Sequence, residues 1–190
     1  MNEQLRRELL QMQEEDYTTR RKLVEAGQLY GPHLPEGFYH PEMATIHNRN
    51  NARLREIIDE YGWPGRSLVG QEACEAAWLI AQHALSDPDL RDRCLPLLES
   101  AVNIGEAPAW QFAMLTDSIL MHKDEPQLYG CIFVGGEAGK LVPWKIADPE
   151  HVDARRAAVG LPSLAEKMAE LQARVNLEEQ VQRAANEGKA

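Results

Sequence analysis

No stretch of this sequence is long and apolar enough to cross a bilayer, which takes ~20 consecutive apolar residues, so no membrane span is expected. Cysteine is scarce too. Cys74, Cys94 and Cys131 are three in number, far apart and without C-x-x-C spacing. That excludes a disulfide framework and points to a reducing, cytoplasmic setting. Positive charge is also short, with twenty basic against thirty acidic residues and a net charge of −10. Without a basic patch, neither nucleic acid nor an anionic membrane surface is an expected partner. The chain opens MNEQLRRELLQMQEED, which lacks the apolar core of a secretory signal, and none is expected.

A core of ordinary size is not excluded. The 44% hydrophobic and 26% charged fractions of this 190-residue chain are globular values. The patterning predicts a mainly α fold, a single helical domain of about seven helices with one β-hairpin near residues 127–146. The core is expected over 1–160. An amphipathic helix over 161–190 extends from it, with Leu164, Met168, Leu171 and Val175 as a seam for a protein partner or self-association.

The stretch Tyr61–Leu85 joins a Gly62-Trp63-Pro64-Gly65 turn to the most apolar helix of the chain. On that helix Ala76, Leu79, Ile80 and His83 share one face, so His83 points where aliphatic residues point, with Gln82 on the next row. In the first helix, over 3–26, Met12, Asp16, Arg20 and Leu23 form one row, which makes Asp16–Arg20 an inward-facing pair. A second helix is expected from about 46 to 61, with Asn48, Asn50 and Asn51 as an amide-rich first turn of which capping explains one. The Pro- and Gly-rich segment 27–45 reads as a long loop that can close over a pocket.

Further on, Asp87 caps a helix that Pro96 should kink or split. In the helix after Pro108, Asp117 stands in the apolar company of Ala113, Met114 and Met121, and a buried carboxylate needs partners. Ser163 and Glu166 form a capping box for the last helix.

Two tempting motifs fail. The Gly135–Lys140 run is one residue short of a phosphate loop, and Leu141 replaces the hydroxyl that would hold magnesium. His33, His40 and His47 are seven apart, but the first two lie in irregular chain with no Cys or carboxylate at ligand spacing. Neither a metal nor a cofactor is expected.

The segments GWPGRSLVG, AAWLIAQHA, QLYG and VDARRAAVGL, with EEDYTTR in the first helix, resemble a family of bacterial proteins of unknown function over residues 10–165. The resemblance implies a mainly helical domain and supplies no activity. It also implies an altered site in this member, since Asp117-Ser118 replaces the family's Asp-Arg and Cys131-Ile132 its Thr-Gln.

Two functions follow from these residues. One is a binding module, for a small molecule such as an anion or for a protein, built around a His83-centred polar pocket. The other is an acid–base enzyme of hydrolase or lyase type acting on a carboxylate- or phosphate-bearing substrate. There His83 transfers the proton, Asp117 orients it and Tyr129 donates to the oxyanion. Trp63, Gln82, Asp16, Arg20, Arg155 and Arg156 are the candidate substrate-binding residues in either case.

Overall fold

The computed structural model of the chain describes residues 1–29, 40–136 and 140–187, with side chains to residue 177 and at 180. The chain gathers into two compact units, Met1–Leu115 and Thr116–Ala190.

In the first unit, the Asn2 side chain accepts from Leu5 N–H at 3.1 Å and starts helix α1, Glu3–Glu25. Helix α2 spans Pro41–Tyr61, and Gly62 stops it at φ 71°, a left-handed conformation that glycine adopts without strain. The start of α2 departs from the expected residue 46. His40 caps it through Nδ1, which accepts from Glu42 N–H, and Pro41 supplies a preset φ at the first position. A short α3, Arg66–Val69, leads into α4, Gln71–His83. Helix α5, Pro88–Asn103, is capped by Asp87 as expected. It runs unbroken through Pro96, because that residue is exposed and the carbonyl it leaves without an intrahelical donor lies on the solvent side.

Side-chain pairs set the helix directions. Glu8 meets Arg53 and Lys22 meets Glu42, so α1 and α2 are antiparallel. Arg6 meets Glu72 and Asp16 meets His83, so α1 and α4 run the same way. Helix α4 buries Ala73, Ala76, Ala77 and Ala81, small residues that let α1 and α2 approach it closely. Leu9, Leu54 and Ile57 fill the same core and have no exposed surface.

Helix α6, Ala109–His122, crosses the division between the units. In the second unit, β1 (Phe133–Gly135) pairs antiparallel with β2 (Leu141–Pro143) in the register Val134↔Val142. This is the expected hairpin, shorter than 127–146; residues 137–139 of its loop lie outside the described residues. A single 3-10 turn, Pro149–His151, precedes α7, Val152–Ala158, and α8 follows over Leu164–Glu187. The Ser163–Glu166 capping box forms in both directions, at 3.2 Å and 2.9 Å. Among the described residues no helix is long and apolar enough to cross a membrane.

Burial pushes the Cys94 thiol up to about 12 and raises those of Cys74 and Cys131 as well. Since the thiolate is the reactive form, native protein at pH 8 should take up iodoacetamide slowly at every cysteine. Denaturation in urea should then expose all three to rapid alkylation, as read by intact mass. Fast modification of one thiol in the folded protein would contradict this.

Candidate functional site

Three helices of the first unit each contribute one group to a single buried cluster. Asp16 from the fourth turn of α1 is 1% exposed. One of its oxygens, Oδ2, lies 2.9 Å from His47 Nε2 of α2 and 2.9 Å from His83 Nδ1 at the end of α4. The imidazole centroids are 5.1 Å apart, with the rings tilted by 38°. His47 is buried, whereas the His83 side chain is 28% exposed and forms the solvent-facing edge of the cluster. Burial alone would raise the Asp16 carboxyl. The imidazoles of His47 and His83 outweigh burial and hold it well below the usual carboxylate range, so Asp16 is an anion at neutral pH.

The helix periodicity explains the meeting. His47 lies in the second turn of α2 and shares its buried face with Asn51, Leu54 and Ile58. All three helices carry buried polar groups without partners. Among the described residues, Asp16 Oδ1, both side-chain polar atoms of Asn51, Asn50 Nδ2 and Gln82 Oε1 are buried and have no hydrogen-bond partner. Asn51 is one turn along α2 from His47, and Gln82 adjoins His83.

The other expected site residues are placed differently. Arg20 is exposed, and Asp16 pairs with the histidines instead, so the inward Asp16–Arg20 pair does not form. Asp117 is fully buried, but its carboxylate accepts from the backbone N–H groups of Leu128, Tyr129 and Cys131 at 2.7–3.1 Å. The carboxylate beside His83 is therefore Asp16, and the expected His83–Asp117 contact is corrected on that ground. Tyr129 meets Asp117 through its main chain.

Arg155 donates to the carbonyls of Leu128, Ala147 and Asp148. Arg156 donates to those of Tyr129, Gly130 and Pro162 and is 1% exposed. Arg155 also pairs with the Asp148 carboxylate at 3.3 Å, so both guanidiniums are engaged within the second unit, chiefly with backbone. Trp63 is buried beside Cys74, nine residues and so about 13 Å of helix before His83. It lines a shallow groove with Leu68, Leu97 and Ala101, away from the cluster. A groove of about 370 Å³ between α1 and α2 is lined by Glu8, Glu15, Arg49 and Arg53, whose charges pair with one another. Neither groove includes Asp16, His47 or His83. Of the segment expected to close over a pocket, residues 30–39 lie outside those described.

Sequence reasoning missed His47 as a member of the site. The signal was available: within the expected helix His47 stands seven residues before Leu54 and eleven before Ile58, on the same face.

Residues 3–179 match the profile of a family of unknown function, DUF6624, further than the resemblance over 10–165 and into the last helix. No curated protein and no solved structure matches the chain.

Proposed function

Taking as premise that this chain belongs to the family of unknown function DUF6624, we propose that its first unit is a small-ligand binding module centred on Asp16, His47 and His83. The observation that carries this reading is the incompleteness of the cluster. A polar network that serves packing alone satisfies its buried members, because each orphaned group costs about 1–3 kcal/mol. Here one oxygen of a buried carboxylate bears both imidazoles while the other has no partner among the described residues, and the amide of Asn51 has none either. A bound ligand supplies the missing contacts.

The charges of the cluster bear on the ligand. The carboxylate of Asp16, ionised and buried, can take a cation or a hydrogen-bond donor, and the imidazoles beside it remain the groups that would meet the anion expected from the sequence. His83, the exposed member, is the point of entry.

Asn51→Leu tests the reading. Replacing an unsatisfied buried amide with an apolar side chain of similar volume should raise the unfolding free energy by ~1 kcal/mol, measured by urea denaturation. His83→Ala removes one of the two partners of the buried Asp16 carboxylate and should lower it by about 1.5–3 kcal/mol on either reading. A purely structural network predicts a clear loss in Asn51→Leu as well, and that result would remove the binding reading.

A further inference from the structure

The same three residues make a donor set whose chemistry is more specific than "polar". Resting on the binding reading above, we propose that Asp16, His47 and His83 hold one divalent first-row transition-metal ion, of the zinc or ferrous class, with coordination positions left open on the His83 side.

The geometry fits. The Asp16 oxygen, His47 Nε2 and His83 Nδ1 all lie within 4.8 Å of one another, and the carboxylate oxygen is 2.9 Å from each nitrogen. Metal–ligand bonds of ~2.0–2.1 Å at tetrahedral or octahedral angles place neighbouring ligand atoms about 2.9–3.4 Å apart. The two oxygen–nitrogen spacings lie at the short end of that range, and the two nitrogens, within 4.8 Å of each other, close around an ion by side-chain shifts.

The donor types select the ion. Two imidazole nitrogens and one carboxylate oxygen suit zinc, ferrous iron, cobalt or nickel, whereas calcium and magnesium favour all-oxygen shells. No thiolate takes part. Imidazoles ligate a metal in the neutral form, and the carboxylate then leaves one negative charge to meet a dication.

The scaffold suits a preformed site, because each ligand comes from a separate packed helix and not from a loop. Three protein ligands leave at least one position for water or a small molecule, as in an open site. The second carboxylate oxygen of Asp16 is unpartnered and can accept from a metal-bound water.

The test uses the full chain, stripped with chelator and titrated with zinc chloride by calorimetry, with magnesium chloride as control. The expected result is one zinc per chain, a raised Tm and no response to magnesium. His83→Ala, with circular dichroism checked for an unchanged fold, should weaken zinc binding by about 100-fold, since loss even of an outer-shell partner costs ~10–100-fold. X-ray absorption at the zinc edge of the unsubstituted protein provides a reading independent of any variant, and should show a nitrogen/oxygen shell with two imidazoles.

Absence of stoichiometric zinc binding, binding unchanged in His83→Ala, or a shell without imidazole each overturns the metal assignment. If that happens while Asn51→Leu still stabilises the apo protein, the metal fails and the binding module stands. If Asn51→Leu destabilises, the module fails first and takes the metal with it.

Discussion

Asp117→Asn should unfold the second unit far more easily, lowering its stability by about 3 kcal/mol or more and its Tm by roughly 12–24 °C. The carboxylate has no exposed surface and works as an anchor for the 128–131 turn. One oxygen accepts from Leu128 and Tyr129, the other from Tyr129 and Cys131. Hydrogen bonds to a charged group contribute ~1.5–3 kcal/mol each, and stranding a buried donor adds its desolvation cost. Asparagine keeps one acceptor oxygen and turns its NH2 toward backbone N–H groups, so at least one donor is left facing another. Hydrogen exchange should report the change at the place it occurs, as lost protection of the amides of residues 128, 129 and 131. A loss below about 1 kcal/mol, with protection retained, would show that the carboxylate is not the anchor.

Arg156→Ala should cost nearly as much, about 3 kcal/mol, for the complementary reason. Its guanidinium donates at 2.6 Å to Pro162 O, at 2.7 Å to Tyr129 O and at 3.1 Å to Gly130 O, and it is among the largest fully buried side chains. Alanine strands three carbonyls and leaves a void where the side chain was. Lysine should not rescue it, because a single ammonium lacks the fork that reaches carbonyls on two segments. Asp117 takes the N–H groups of the turn and Arg156 takes its C=O groups, so the two act on one piece of backbone. A double-mutant cycle read by chemical denaturation should therefore show coupling of about 1 kcal/mol or more, and simple additivity would deny the shared role.

These two expectations separate the units by kind. Asp117, Tyr129, Arg155 and Arg156 were read from the sequence as candidate site residues, and their side-chain and main-chain hydrogen bonds in the second unit go to building a turn. The cluster of Asp16, His47 and His83 leaves polar atoms unmet. The buried carboxylate of Asp117 has both oxygens occupied, whereas the unmatched oxygen of Asp16 is the observation on which the proposed binding reading rests.

Much of the fold was legible. The 0, 3, 4, 7 row of Ala76, Leu79, Ile80 and His83 predicts an inward His83, and the Met12–Asp16–Arg20–Leu23 row predicts an inward Asp16 and Arg20; His83 and Asp16 are where the rows place them, whereas Arg20 is exposed. Cap residues were legible at Asp87 and at Ser163–Glu166, because capping is a contact within three residues. The hairpin was visible from its β-branched runs, although Gln127–Ile132 follows the turn held by Asp117 and not a strand.

What the sequence by itself determined, then, is local: where helices start and stop, which face of each is apolar, and which polar residues intrude on that face. Its periodicity put Asp16 and His83 inward because side chains three and four apart share a helix surface. Which carboxylate meets which histidine was decided only by tertiary packing. Asp16, His47 and His83 lie on three separate helices, and no one-dimensional spacing encodes the angle at which α1, α2 and α4 cross or the turn at which they touch. That choice is made by the close approach of alanine-rich α4 to its neighbours, and it replaced Asp117 with Asp16 beside His83 and brought in His47, the second imidazole of the cluster.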